Sequence, residues 1–491
     1  MPKDYFNVSR ATALESVAAG AKIHVSGVCG VAMAQLAVEL VRRGFAVSGS
    51  DKEFYEPMGS FLKRSSVALK EGYKAEHIPE DASLVVIGNA LVYENPEVQE
   101  VERRKIPYSL FPKILYDVVI RGKQSIVVSG THGKSTTTAL MAWLLSRMQL
   151  SPSYFIGAAV PDLPSSLVSS TGELSVVEGD EYDSAFFAKV PKFTFYKPNT
   201  LIVTAIEYDH ADIYSSLKQI EDEFTKLVTS LPDDADVICC IDTENVTRLV
   251  EEWRETASCK ITTYGKSGGA DIQLVDRHVE GRTQHVTLAL HDGAEVGFSL
   301  SLPGEHNALN ATAAYIACMV NNLDIETAGN LMRGFLGAKR RQEVRFDSKN
   351  VTLIDDFAHH PTAVRETLSA LRSFYPGRRL WAVFEPRSNT SRRKVFQKDY
   401  VSAFRSADRV VLCDVAARSI DAGQELIKVS DLAESIGLAG TPAVALHDAD
   451  AIRSYLMEHM EPGDVFVIMS NGSFGGLVGK FEGELRAKIP S

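Results

Sequence analysis

A chain of 491 residues is too long for one hydrophobic core and divides into several domains. Its 45% apolar content is that of a globular protein, and a net charge of −11 gives no broad cationic surface, which argues against a main role in nucleic-acid binding. Six cysteines, at 29, 239, 240, 259, 318 and 413, form no CxxC pair and no zinc-type spacing with histidine, the pattern of buried thiols in a reducing compartment. The start, "MPKDYFNVSR", lacks an apolar h-region, and no run approaches the ~18 apolar residues of a membrane span. A cytoplasmic protein with no membrane partner is expected.

The first segment opens with "AKIHVSGVCGVAMAQLAVELVRRGFAVSGSD", a short apolar strand, a Gly turn, a helix and a second strand ending at Asp51. This is a βαβ unit whose ligand end lies at the strand C-termini. Further strands are expected in "SLVVIGNA" and near "IPYSL", making residues 1–122 one α/β domain. Gly27 and Gly30 are spaced as GxxG, not as the GxGxxG of nicotinamide enzymes. Binding of another nucleotide's diphosphate at that helix N-terminus is therefore favoured over an NAD-dependent oxidoreductase.

"VVSGTHGKSTTTALMAWLL" begins the second segment as strand, Gly turn and helix. A Gly-rich turn with Lys134 and Ser135 at a helix start aims backbone N–H groups and a cation at phosphate oxygens, and the hydroxyl suits Mg²⁺. The loop is shorter than a strict P-loop, which has Gly where this chain has Val128. Strands are expected in "LSVVEGD" and "NTLIVTAIEYDH", bringing Glu178, Glu181, Asp209 and His210 to strand ends as hard or imidazole ligands. Solvated strand ends are the plain alternative. A helix in "SLKQIEDEFTKLVTSL", a strand in "DVICCID", antiparallel hairpins over 270–302 and a helix in "EHNALNATAAYIACMV" complete a domain over 123–343.

Strand and helix units repeat in the third segment, 344–491: "VTLIDDFAHH", "RLWAVFEPRSN", "DRVVLCDV" and "DVFVIMSNGSFGG". "DDFAHHP" offers substrate or nucleotide contacts; two adjacent histidines on a strand face opposite ways and seldom share a metal. Arg387 in "FEPRSNT" presents a planar fork suited to a carboxylate, with a surface salt bridge as the alternative. The whole reads as α/β, with Rossmann-like first and third domains and a P-loop central domain carrying an antiparallel edge.

Taken in order, "GTHGKSTT", "EGDEYD", "EYDHAD", "GEHNALNATAA", "AKRRQE" and "DDFAHHPT" resemble the Mur ligases, ATP-dependent amide-forming enzymes of peptidoglycan assembly. The resemblance covers nearly the whole chain and accounts for the short phosphate loop. It implies a UDP-N-acetylmuramate domain with Gly27, Gly30, Met33 and Asp51 at the UDP-sugar end. It implies that Gly130, Thr131, His132, Gly133, Lys134, Ser135 and Thr136 cradle ATP, with Ser135 and Glu178 on one Mg²⁺ and His210 on a second. His306, Asn307 and Asn310 would hold adenine and nearby groups, and Arg341 and Asp355 would reach the nucleotide from the linker and third domain. His210 and His359 are the candidates to take the proton of the incoming ammonium.

"GTHGK" and "DDFAHHPT" resemble the branch acting directly on UDP-N-acetylmuramate. One such member adds L-alanine; another, of peptidoglycan recycling, adds the L-alanyl-γ-D-glutamyl-meso-diaminopimelate tripeptide. The former usually carries a PHxYTR-like stretch where this chain has "EPRSNT"; that stretch, with "GVCG", "GNAL" and "MSNGSFGG", resembles the recycling ligase. Arg387, Ser388 and Asn389 would then meet the tripeptide's carboxylates. Two departures stand out. Ala205 replaces the family's Asn in "AIEYDH", and no clear counterpart exists for a carbamylated lysine, Lys218 and Lys226 being the nearest candidates. No protein partner is implied. The alternatives left open are the alanine-adding ligase, the oxidoreductase and a non-catalytic nucleotide-binding regulator.

Overall fold

Continuous apolar runs bounded by glycine or acids become buried strands, and most of the helices between them bury one face. The computed structural model describes residues 5–211, 213–414 and 425–489. The chain forms two compact units: Met1–Glu207 with Lys218–Thr263 and Ile316–Leu323, and Tyr208–Leu217 with Tyr264–Tyr315 and Asp324–Ser491.

Two larger sheets lie in the first unit, beside the two-stranded pair Asp183–Ala185 and Ala188–Pro191. One is parallel, in the order Ala68–Glu71, Ala46–Asp51, Lys22–Ser26, Leu84–Ile87, Tyr108–Leu110. Helices Val31–Arg42 and Pro96–Arg104 cover it, the latter started by Asn95, whose side chain accepts from the Glu97 N–H, and by Pro96. In the second sheet the order is Asp236–Cys240, Thr200–Val203, Gln124–Ser129, Leu174–Gly179, Ser153–Phe155 and the antiparallel Leu167–Val168. Helix Lys134–Arg147 follows the central strand and is buried almost all round, including Thr137, Thr138, Met141 and Leu144. A helix without a polar face belongs inside a domain. The strand expected through "EYDH" stops at Val203, so Glu207 to His210 lie beyond the sheet.

In the second unit, Ile272–Glu280, Thr283–Ala289 and Glu295–Leu300 pair antiparallel, as their alternating pattern predicts. A six-stranded sheet runs Glu343–Asp347, Val351–Asp356, Asp464–Met469, Leu380–Phe384, Arg409–Cys413, Ala443–Leu446, parallel except at its first pair. Its strands feed two cores by strict alternation. Ile354, Ala382, Phe384, Val410 and Val467 pack on one side with helix Pro361–Phe374, while Leu353, Trp381, Val383, Val411 and Phe466 pack on the other with helix Leu477–Lys488. Each such buried aliphatic or aromatic side chain contributes about 1.5–3 kcal/mol relative to exposure. "DDFAHHP", "EPRSNT" and "SNGSFGG" all fall at carboxyl ends of adjacent parallel strands, where ligands of open α/β sheets bind.

His359 and His360 are not strand residues. The strand ends at Asp356, and His360 is the N-cap of helix Pro361–Phe374, its Nδ1 accepting from the Thr362 N–H at 3.4 Å, with Pro361 at the first helical position. Among the described residues all six cysteines are buried free thiols, and no helix is long and apolar enough to cross a membrane.

Candidate active site

At the N-terminal end, Gly27 turns with φ +82° and its N–H, like that of Val28, donates to the Ser50 carbonyl at 2.8 and 2.9 Å. Gly30 caps helix Val31–Arg42, and Met33 is buried within that helix. Asp51 is engaged by the protein itself. Its Oδ2 accepts from the Cys29 N–H at 2.7 Å, and its Oδ1 accepts from the Lys52 N–H and the Tyr73 hydroxyl at 2.8 and 3.0 Å. The acid expected at the UDP-sugar end thus shapes the Gly turn. Beneath it lies a buried polar cluster that the sequence reading missed. The Glu97 carboxylate accepts from Ser26 and Ser50 Oγ, both at 2.6 Å, with His24 Nε2 at 3.4 Å. Burial acts to raise the Glu97 carboxyl, but His24 and the two hydroxyls outweigh it and hold it below its usual range. Polar residues inside otherwise apolar strands, "KIHVS" and "AVSGSD", were the available signal.

The phosphate loop is built on two glycines with positive φ, Gly130 at +127° and Gly133 at +84°. Thr131 N–H donates to the Ala205 carbonyl at 2.8 Å, and Thr131 Oγ1 accepts from the Glu207 N–H at 2.9 Å. Thr204 Oγ1 donates to the His132 carbonyl, and His132 Nε2 lies 3.5 Å from the Glu207 carboxylate. Lys134, at the helix start, donates to the Gly130 carbonyl at 2.5 Å and to Glu181 at 2.8 Å. Burial opposes its charge, yet Glu181, Asp180 and Glu178 together hold the ammonium above its ordinary pKa. Ser135 Oγ donates to Glu178 Oε2 at 3.0 Å, and Glu178 Oε1 accepts from the Gly157 N–H at 2.5 Å. A hydroxyl and a carboxylate converging beside a phosphate-type loop form a hard-oxygen donor set that fits Mg²⁺. Buried Lys192, 3.0 Å from Asp180 and over the Tyr182 ring, neutralises a second acid of the same strand end and was not anticipated.

Ala205, in the family's Asn position, offers only its backbone, which anchors Thr131. Lys218 and Lys226 are exposed on helix Leu217–Thr229, paired with Asp222 and Glu223, each at 2.6 Å.

Asp209 and His210 belong to the second unit, so the acids expected as one set are divided between the two units. The last residue of "EYDHAD", Asp212, lies outside the described residues. Asp209 is buried, and its Oδ1 accepts from Thr390 Oγ1 at 2.6 Å. Burial alone would raise its carboxyl; His210, His359, the Thr390 hydroxyl and His360 hold it well below the usual carboxylate range. His359 Nδ1 lies 3.0 Å from the Phe357 carbonyl, and its own carbonyl accepts from the Tyr400 hydroxyl.

A second cluster of this unit gathers the adenine-end candidates. Asn307 Nδ2 donates to Gln342 Oε1 at 3.0 Å, Gln342 Nε2 lies 3.3 Å from His306 Nε2, and Asn310 Nδ2 donates to Asn307 Oδ1 at 3.4 Å. The Arg341 guanidinium stacks 4.6 Å from the centre of the Phe357 ring. The acid that joins this cluster is Asp356, whose carboxylate accepts from the Gln342 and Ala358 N–H groups at 2.7 and 2.6 Å. Asp355, expected there, faces the opposite layer. It lines a cavity of about 190 Å³ with Arg340, Ser470, Gly472 and Ser473, 3.7 Å from Arg340 Nε. Neighbouring strand residues point to opposite faces, so only one of the two acids reaches Gln342.

At the end of Leu380–Phe384, Arg387 is exposed and its guanidinium lies against Gly472, where a Cβ would come within 2.3 Å of Nη1. Ser388 Oγ accepts from the Ser391 N–H at 2.8 Å, and Asn389 O accepts from Arg393 Nε at 3.1 Å. Glu385 accepts from Ser470 Oγ at 2.5 Å, tying this loop to "MSNGSFGG".

Residues 22–121 match the Mur ligase family catalytic domain, 128–318 the Mur ligase middle domain, and 340–472 the Mur ligase glutamate ligase domain. The chain is 35% identical over 464 residues to the UDP-N-acetylmuramate–L-alanyl-γ-D-glutamyl-meso-2,6-diaminoheptanedioate ligase of Escherichia coli K12, covering 93% of this chain and 96% of that protein. It is also 31% identical to a UDP-N-acetylmuramate–L-alanine ligase of Geobacter sp. M21, over 92% of this chain and 95% of the relative. Among solved structures it is similar to a murein peptide ligase from Psychrobacter arcticus, with TM-score 0.70, 29% identity, and coverage of 96% and 100% of the two chains. With a Mur-type phosphate loop, a matching three-domain fold and full-length relatives, the chain belongs to the Mur ligase family, ATP-dependent amide-forming enzymes of peptidoglycan metabolism.

Proposed function

We propose that this enzyme joins L-alanyl-γ-D-glutamyl-meso-diaminopimelate to UDP-N-acetylmuramate in peptidoglycan recycling, with domains over 1–122, 123–343 and 344–491. The observation that carries the acceptor assignment is "EPRSNT": an exposed Arg387 on a tightly turned loop at a strand end, suited to an acceptor with several carboxylates. Gly27 and Gly30 would receive the UDP-sugar, with Asp51 shaping their turn and Met33 packing behind it.

In this reading, Gly130 to Thr136 hold the ATP phosphates through backbone N–H groups and Lys134. His306, Asn307, Asn310, Arg341 and, in place of Asp355, Asp356 serve the adenosine end. The γ-phosphoryl passes to an oxygen of the lactyl carboxylate as its bond to the β-phosphate oxygen breaks, releasing ADP and leaving an acyl phosphate. The acceptor's α-amine then attacks the carbonyl carbon, and the tetrahedral intermediate expels phosphate as the amide forms. Lys134 neutralises the phosphoryl oxygens, and His359 takes the proton of the ammonium, since an imidazole holding Mg²⁺, as His210 would, cannot accept it. Ser135 and Glu178, with His210 at a second position, would hold Mg²⁺, which when bound supplies charge neutralisation between two anionic substrates. Positioning and charge carry the rate.

The second reading, ligation of free L-alanine, is favoured by the Geobacter relative. Phosphate release from ATP with Mg²⁺ and UDP-N-acetylmuramate, comparing tripeptide and L-alanine, separates them. Amide product with the tripeptide and not with L-alanine is the expected result; the reverse preference refutes the acceptor assignment.

A further inference from the structure

A buried carboxylate is costly unless it is fully hydrogen-bonded, so its position has to be maintained by its partners. Asp209 is 6% exposed, and its Oδ1 takes two donors: the His210 N–H at 2.7 Å and Thr390 Oγ1 at 2.6 Å. Thr390, itself 3% exposed, is the last residue of "EPRSNT". The turn around it is closed upon itself. Ser388 Oγ lies 2.9 Å from Ser391 Oγ, Arg393 N–H donates to the Thr390 carbonyl at 3.0 Å, and Arg393 Nε to the Asn389 carbonyl. The segment bearing Asp209 is anchored on the same side. The Tyr208 ring stacks on Phe396 with centroids 6.3 Å apart, and its hydroxyl donates to the Tyr214 carbonyl at 3.0 Å. One short hydrogen bond therefore joins two chain segments 181 residues apart, one carrying His210 and the other Arg387, Ser388 and Asn389.

We infer that Asp209 is a positioning residue: through Thr390 it fixes the turn from Arg387 to Asn389 and so sets where that turn meets the carboxylates of the incoming peptide. The inference rests on the proposed acceptor role of residues 387–389.

Thr390→Val keeps the shape and removes the donor, whereas Thr390→Ser keeps the donor. A hydrogen bond to a charged acceptor is worth about tenfold to hundredfold, so Thr390→Val is expected to raise the KM for the tripeptide by about tenfold or more. Thr390→Ser should restore it, and the KM for ATP should stay within about twofold of wild type in both. In a double-mutant cycle, Asp209→Ala with Thr390→Val should be no worse than Asp209→Ala alone. An unchanged acceptor KM in Thr390→Val overturns the inference, as does an equal rise in the KM for ATP. If the wild-type enzyme takes L-alanine and refuses the tripeptide, the acceptor assignment fails, and the same variants read with L-alanine still decide whether the clamp exists.

Discussion

Replacing Gly130 by Ala tests whether the loop's backbone path, more than any side chain, makes the phosphate site. A Cβ at this position would lie 2.4 Å from Thr204 Oγ1, 2.7 Å from the Ala205 carbonyl oxygen and 2.8 Å from the Ala205 nitrogen, where ordinary contacts begin at 3.4 Å. Two of these atoms are backbone and cannot rotate away, so the loop must retreat by roughly 0.6–1 Å, and the φ of +127° resists any side chain. The Thr131 N–H bond to Ala205 breaks with that movement. A misplacement of about 1 Å costs on the order of 10²-fold in rate, equivalent to about 2.7 kcal/mol. Steady-state phosphate release should show kcat/KM for ATP reduced by that factor. Gly122→Ala is the control: φ is +73° and nothing lies within 4 Å of the new Cβ. It carries only the left-handed strain of about 1–2 kcal/mol in stability, and its kcat/KM should match wild type. Wild-type kcat/KM in Gly130→Ala refutes the reasoning.

Two further perturbations follow from buried charges. Lys134→Ala should lower ATP-dependent turnover by about 10²- to 10³-fold or more. Because Glu181 is only 2% exposed and loses its 2.8 Å partner, the single variant should also lose about 3–5 kcal/mol of stability. Lys134→Ala combined with Glu181→Gln should regain the stability and stay inactive, as read by thermal melting beside the phosphate assay; near-normal turnover in either would remove Lys134 from the mechanism. Asp355 concerns pH. Burial lifts its carboxyl from 3.8 to about 6, against the nearby Arg340. With the folded pKa above the unfolded one, the native state binds the extra proton, so this group's contribution to stability is lost as pH rises from about 4 to 6. The difference corresponds to about 3 kcal/mol. Asp355→Asn should therefore be more stable than wild type at pH 8, by up to about that amount, and gain nothing at pH 4; Arg340 keeps the Ser470 and Gly472 carbonyls, each at 2.6 Å. Equal urea midpoints at pH 8 would count against the assignment.

Local chemistry made much of this enzyme legible from sequence. The Gly-turn loop is contiguous, so the roles proposed for its glycines, Lys134 and Ser135 are legible in their spacing, and the one proposed for Glu178 in a strand that ends in acids. Periodicity placed the buried strands and the hairpins after residue 270. Ala68–Glu71, largely exposed, carries no such pattern because solvent relaxes the demand for apolar residues, and Ala443–Leu446, though apolar, has four residues, too few for a period to show.

What the sequence by itself determined is the family, the α/β architecture and the Gly-turn loop proposed to meet phosphate, all of them encoded within runs of a few tens of residues. The tertiary structure decided which of two adjacent acids, Asp355 or Asp356, turns toward Gln342, since strand pairing sets which face each residue presents. It also decided that Asp51 is occupied by its own Gly turn, that Glu97 sits beneath it, and that Asp209 holds Thr390. These contacts join residues far apart in the chain, and their partners are chosen only when long-range packing brings the strand ends together.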